Sequence, residues 1–213
     1  MSWAFKLKSV YLIDMLSTIP HITKYLWAIP TLLLWLTDPD PEREATVRVA
    51  PESEVVISGT TNVNQFTCKY NLQELELPIR LTYDEKAQHI LFKNARLKLA
   101  NDCFDCGGKT INKDFRELLQ TKNHPEVELK LLYVDPPQPD RQTISVGMEI
   151  RIAGVSRKYE SILNCEQKEG ICVKGTLSLK LTDFGLEPPR KVLGMIKVDN
   201  DIQVHMALQM KEI

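Results

Sequence analysis

Residues 143–153, TISVGMEIRIA, alternate strictly between apolar and polar side chains. One face of this stretch carries Ile144, Val146, Met148, Ile150 and Ile152, and the other carries Thr143, Ser145, Gly147, Glu149 and Arg151. Successive side chains of an extended chain point to opposite sides, so the alternation predicts a β-strand with one buried face.

The same alternation recurs along much of the chain. It is clear in residues 171–181 and 202–211, and in 126–134, where Val127, Leu129, Leu131 and Tyr133 share one face. Weaker alternation runs through residues 46–50, 54–59, 64–70, 75–82, 88–100 and 155–165. Strands with one polar face belong to antiparallel sheets, because parallel strands are buried on both faces. Ten or so such strands predict an all-β barrel or sandwich.

Two segments interrupt the strand pattern. Residues 112–122 place Phe115, Leu118 and Leu119 at helical spacing, with Asn112 as the expected N-cap, and predict one short inserted helix. Residues Lys168-Glu169-Gly170 lie between two strand patterns and predict a three-residue hairpin with Gly170 in a left-handed conformation.

The first 44 residues differ from the rest. Residues 25–36, YLWAIPTLLLWL, form an apolar run behind Lys24, and an acidic, proline-broken linker follows it. The run has the length of a signal-peptide core and is short for a membrane span. We therefore expect residues 1–44 to be a signal peptide or an N-terminal membrane anchor, and residues 45–213 to be an exported domain in the periplasm or outside the cell. The alternative is a buried core helix.

Composition excludes several classes of protein. The chain has 27 basic and 28 acidic residues, and it lacks the basic surplus of a nucleic-acid-binding protein. Hydrophobic residues make up 43%, which excludes wholesale disorder. We expect no nucleic-acid partner.

All five cysteines lie in the predicted exported domain: Cys68, Cys103, Cys106, Cys165 and Cys172. In an oxidising compartment one or two disulfides are expected. One bridge is expected among Cys68, Cys103 and Cys106. A bridge between Cys165 and Cys172 is opposed by parity, because Cys165 shares an inward face with Leu163 while Cys172 shares the outward face of Lys174.

Several short blocks, in order, are similar to a known family. They are Ser58-Gly-Thr-Thr-Asn-Val-Asn-Gln-Phe66, an Asn-Lys-Asp helix, a Pro-Glu-Val-Glu-Leu strand, Ile152-Ala-Gly-Val-Ser-Arg157, Leu181-Thr-Asp-Phe-Gly-Leu186 and Gly194-x-Ile-Lys-Val198. Together they resemble the YceI-like family of exported, lipocalin-like proteins over roughly residues 46–211. The usual Trp or Phe-Gly pair after the first block is Phe66-Thr67-Cys68 here, and the Cys103–Cys106 pair is not a general family feature.

This resemblance implies an extended antiparallel β-barrel with an apolar tunnel for an isoprenoid-like lipid, without catalytic residues or a cofactor. The inward faces of three strands then predict the tunnel lining: Met148, Ile150, Val173, Leu177, Val204 and Met206. One alternative is an exported structural or interaction module whose barrel core is solid. Another is an enzyme acting on a hydrophobic substrate, which a buried carboxylate or histidine in the tunnel would favour.

Two motifs have a chemical and a structural interpretation. Asp183-Phe184-Gly185 matches the metal-binding loop of protein kinases, but the companion kinase motifs are absent from the sequence. We expect Phe184 to fill the barrel and Gly185 to permit a bend. Cys103-x-x-Cys106 is half of a zinc motif without a second half, so no metal site is expected.

Overall fold

The structure is a computed structural model that describes residues 42–75, 78–86, 89–135, 142–167, 170–191 and 194–213. The predicted export segment at residues 25–36 lies outside the described residues. Within those residues, no helix is long and apolar enough to cross a bilayer.

Thirteen strands, one α-helix and three short 3-10 helices make up the described part of the chain. The strands are β1 (Arg43–Val49), β2 (Glu54–Thr61), β3 (Gln65–Tyr70), β4 (Ile79–Glu85), β5 (Ile90–Asn94), β6 (Arg96–Ala100), β7 (Phe104–Asp105), β8 (Glu126–Asp135), β9 (Thr143–Ile152), β10 (Val155–Gln167), β11 (Ile171–Lys180), β12 (Arg190–Lys191) and β13 (Ile196–Glu212). The helix α1 spans Lys109–Leu118, and the 3-10 turns span Leu72–Glu74, Asn101–Cys103 and Leu181–Phe184.

Eight of the strands close into a ring in the order β1-β4-β5-β8-β9-β10-β11-β13, and β13 pairs back with β1. Every strand pairing in the ring is antiparallel. The prediction of an antiparallel barrel with one inserted helix is therefore confirmed. Closure leaves the ring itself without an unpaired edge.

The long strand β13 joins the ring to a second group of strands. Its residues 198–207 pair with β2, whereas Met210–Glu212 pair with β1. Beyond β2 the sheet continues through β3 to the two-residue strand β7. On the other side, β8 pairs with β5 near Val134 and with β6 near Glu128. The barrel therefore has two different ends. We call the end where β1, β4 and β5 close the ring the ring end, and the end that carries α1 the helix end.

The helix α1 begins three residues before the predicted Asn112, because Gly108 takes the N-cap position. The Asn112 side chain instead closes the loop before the helix: its Oδ1 accepts from the Cys106 N–H at 2.6 Å, and its Nδ2 donates to Asp105 at 2.9 Å. A polar side chain near a helix start can satisfy the preceding loop as well as the helix itself, so the prediction of Asn112 as the cap was wrong.

Two hairpin turns contain residues with positive φ. Ala153 (φ 47°) and Gly154 (φ 82°) form the two-residue turn between β9 and β10, and the His124 ring lies against Gly154. Gly170 has φ 129°, as expected for a turn that requires glycine, although residues 168 and 169 of that hairpin lie outside the described residues.

The buried apolar residues form two hydrophobic clusters. The first lies on β9, β10, β11 and the Leu181–Leu186 segment, and includes Met148 and Phe184, each 2% exposed. The second lies around β1, β2, β3 and β7, and includes Val55 and Phe104. Phe66 and Phe115 pack against both clusters. The first cluster is therefore densely packed around Phe184, whereas the second reaches β1 and β4 through Val49 and Ile79.

Candidate functional site

The strand register identifies which side chains point into the barrel. On β11 and β13, Leu177 lies opposite Val204 and Val173 lies opposite Leu208. On β9 and β10, Met148 lies opposite Tyr159. Each of these residues lies on the apolar face of its own strand. The apolar faces predicted from sequence therefore converge on one interior.

The helix end of this interior is closed. Phe184 is buried and stacks on Tyr159 with ring centroids 6.1 Å apart. The Tyr159 hydroxyl donates to Asp183 Oδ2 at 3.1 Å. Burial, and then the hydrogen bond and negative charge of Asp183, raise the pKa of Tyr159 to about 12. Gly185 adopts φ 69° directly after Phe184, so the Asp-Phe-Gly motif is a structural bend that plugs the barrel.

The ring end is more open. Inward-facing Ile79, Leu81 and Tyr83 of β4 are only partly buried, as are Ile90 and Phe92 of β5. The rings of Tyr83 and Phe92 contact each other with centroids 5.8 Å apart. These apolar side chains are therefore accessible to solvent at this end, unlike Met148 and Phe184 deeper in the barrel.

The six predicted lining residues all lie in one cluster, the first of the two described above. Met148, Ile150 and Leu177 are fully buried, with 2%, 3% and 4% exposure. The other three, Val173, Val204 and Met206, are only partly buried. The structure thus brings the six together but divides them between the packed part of the interior and its accessible part.

The comparisons with known proteins agree with this architecture. The sequence model of the YceI-like domain matches residues 53–210. The chain belongs to this family. A comparison with curated proteins found no significant match.

Two solved structures resemble this YceI-like barrel. BcnA of Burkholderia cenocepacia superposes with a TM-score of 0.60 at 15% identity, and the match covers 77% of this chain and 99% of BcnA. A polyisoprenoid binding domain from Saccharophagus degradans, implicated in plant cell wall breakdown, gives a TM-score of 0.56 at 15% identity, covering 80% and 100%. At these identities the likeness concerns the fold.

One predicted side-chain direction in the YceI-like barrel was wrong. Tyr133 was expected inside, with Leu129 and Leu131, but a bulge between Leu131 and Tyr133 shifts the register of β8. Val134 therefore packs against the first cluster, while Tyr133 lies outside, over Gly147, and donates to Glu160 at 2.7 Å. An extra residue in one strand reverses the facing of everything after it.

The cysteines also have defined places. Cys68 and Cys106 form a disulfide that joins β3 to the residue after β7, which confirms the expectation of a bridge within the group of three. Cys103, Cys165 and Cys172 are free. Cys165 faces inward opposite Val173 while Cys172 faces outward, so the parity argument against their pairing holds. Burial raises the pKa of the Cys165 thiol, followed by a smaller effect of Cys172.

One polar arrangement was invisible to sequence reasoning. Ser58 Oγ lies 3.0 Å from His205 Nε2, and Thr176 Oγ1 lies 2.8 Å from His205 Nδ1. These residues come from adjacent strands β2, β13 and β11, on the outer face of the sheet. His205 and Thr176 are exposed, and Ser58 is partly buried. A hydrolytic site also needs donors around a substrate carbonyl and a cleft. On the outer face of the sheet this arrangement is a cross-strand hydrogen-bond ladder.

A cluster of charged groups also lies on the outer face. A shallow groove of about 200 Å³ on the outer face is lined by Arg96, Glu128, Lys130, Glu149, Arg151 and Ser156. Across it Arg96 pairs with Glu128 at 2.8 Å. Among the described residues, no group of three or more His, Cys, Asp or Glu side chains could hold a metal ion.

Sequence reasoning missed the inward residues of the ring end, namely Tyr83, Ile90 and Phe92. Alternation in residues 75–82 and 88–100 was visible, but it did not show which other strand would complete the interior. The pairing of β4 with both β1 and β5 supplies that information.

Proposed function

We propose that this protein binds an amphiphilic, isoprenoid-like lipid inside the barrel and stores or transports it without chemical change. The observation that carries the proposal is the accessible apolar interior at the ring end, where Tyr83, Phe92 and Val173 face inward and are only partly buried. Membership of the YceI-like family and the likeness to a polyisoprenoid binding domain support it.

In this proposal the six inward residues have two roles. Val173, Val204 and Met206 contact the lipid chain, while Met148, Ile150 and Leu177 form the floor on which it ends. Affinity would come from burial of apolar surface at about 25 cal/mol per Å². Met206 adds an adaptable, unbranched side chain that suits a flexible ligand.

The two rival functions make different demands on the interior. A solid structural module needs inward side chains that are buried at both ends, whereas those of β4 and β5 are partly accessible. An enzyme needs an acid or base whose pKa lies near the working pH. The inward Tyr159, with its pKa raised to about 12, stays protonated at neutral pH and is a poor base.

We also propose that the domain acts in the periplasm or outside the cell. The Cys68–Cys106 disulfide supports this, because structural disulfides persist in oxidising compartments. Residues 25–36 would direct export or, uncleaved, anchor the domain to the membrane. Residues 1–45 fused to a reporter that is active only outside the cytoplasm should give signal. A silent reporter, with the intact protein in the cytosol, would refute the localisation.

Native mass spectrometry tests the binding function most directly. Protein purified from its own export compartment should carry an additional mass that is released by organic solvent and identified as a lipid. Recovery of the bare protein, together with no uptake of added isoprenoid in solution, would contradict lipid binding and favour the solid module.

A further inference from the structure

An ion pair lies at the outermost edge of the ring end, which we call the lip, on the inward side of the barrel wall. Arg43 is opposite Tyr83 in the β1–β4 pairing, and Glu85 is opposite Ile90 in the β4–β5 pairing. Tyr83 and Ile90 belong to the inward set, so Arg43 and Glu85 share their face. Arg43 Nη1 lies 2.7 Å from Glu85 Oε2, and both side chains are about half exposed. Arg43 precedes the segment that matches the family.

A second set of charges lies on the outward face of the same strands. Lys93 on β5 lies 3.2 Å from Asp84 and 3.5 Å from Glu42. Asp84 lies opposite Leu91, and Lys93 follows the inward Phe92, so these charges face away from the interior. Arg43 and Glu85 lie on the inward side, where Arg43 is already paired with a carboxylate.

We propose that the Arg43–Glu85 pair selects the headgroup of the bound lipid, taking a neutral polar headgroup with a hydroxyl or carbonyl and disfavouring a phosphorylated one. The inference rests on the proposed function. The guanidinium donates to a carbonyl or hydroxyl oxygen, and the carboxylate accepts from a hydroxyl. A phosphate on the same lip would meet Arg43 already paired, and would lie within a few ångströms of the Glu85 carboxylate.

Two probes with the same tail test the selection, geranylgeraniol and geranylgeranyl diphosphate. We expect the wild type to bind the alcohol at least tenfold more tightly than the diphosphate. Glu85→Gln removes the repelling charge and frees Arg43, so it should reduce this ratio about tenfold. Glu44→Gln is the matched control, because Glu44 lies on the neighbouring position of β1 and faces outward opposite Thr82. It should leave the ratio unchanged.

Two further measurements keep the test independent of protein folding. Raising the salt concentration should bring the wild-type affinities for the alcohol and the diphosphate closer together, because salt screens repulsion between exposed charges. Inorganic pyrophosphate should not compete with geranylgeraniol, which distinguishes a headgroup effect from a free phosphate site.

The outcomes separate the inference from the function on which it rests. If the wild type binds neither probe, lipid binding fails and the headgroup selection fails with it. If it binds both equally, prefers the diphosphate, or keeps its ratio after Glu85→Gln in a variant with an unchanged unfolding midpoint, lipid binding stands and the role of the ion pair is wrong.

Discussion

Two positions on the inward face of β11 provide a sharp test of whether the barrel is hollow. Val173 lies toward the ring end and is partly buried, whereas Leu177, four residues along the same face, is 4% exposed within the packed cluster. A larger side chain should therefore have a different effect at each position. Val173→Phe should reduce lipid binding, and Leu177→Trp should reduce stability.

The size of each effect follows from the environment. Val173→Phe adds roughly four carbons, and if half of them take space that a lipid chain would fill, the loss is about 1.6 kcal/mol at ~0.8 kcal/mol per methylene. That corresponds to about a 15-fold rise in Kd. Free space accommodates the ring, so the free energy of unfolding should change by less than about 0.5 kcal/mol. Leu177→Trp has no such space and should cost about 1–3 kcal/mol.

The assay is titration of delipidated protein with geranylgeraniol, alongside urea denaturation of the same samples. Delipidation is essential, because a bound ligand would itself raise the denaturation midpoint. Equal destabilisation by both substitutions, with no lipid binding by the wild type, would show that the ring end is packed as tightly as the helix end. The hollow-barrel argument would then be refuted.

Three further predictions concern the scaffold. Replacing both Cys68 and Cys106 with alanine should lower the free energy of unfolding by about 3–4 kcal/mol, because the disulfide closes a loop with a sequence separation of 38. Reductant should lower the urea midpoint of the wild type but not that of the variant. A variant as stable as the wild type would contradict the bridge. Gly170→Val should cost about 1–3 kcal/mol by chemical denaturation, because φ 129° strains a β-branched residue, and a change of a few tenths would mean that the turn is built differently. Ultraviolet titration should show one tyrosine that ionises near pH 12, and this transition should be absent from Tyr159→Phe. Since the folded pKa of Tyr159 lies above the unfolded value of ~10, its stabilising contribution is complete below pH ~10 and is lost between about 10 and 12. Ionisation of Tyr159 near pH 10 would exclude the hydrogen bond to Asp183.

The sequence by itself determined the fold class and the inward faces of β9, β11 and β13. Those faces follow from a local rule, since the side chains of a strand alternate whatever it pairs with. For the same reason the parity of Cys165 and Cys172 could be predicted from their neighbours alone. Both lie on continuous alternating strands without an irregularity between them and the residues that define each face.

Tertiary structure decided the features that depend on pairing between distant segments. The bulge that turns Tyr133 outward arises from the register between β8 and β9. Nothing in the apolar alternation of residues 126–134 marks its position. Choosing Cys68–Cys106 from three candidate cysteines required the pairing of β3 with β7. Arg43 and Glu85 are 42 positions apart in sequence, and only closure of the ring through β1 and β4 brings their charges together at the lip, because contact between distant residues is set by strand order and register rather than by local pattern.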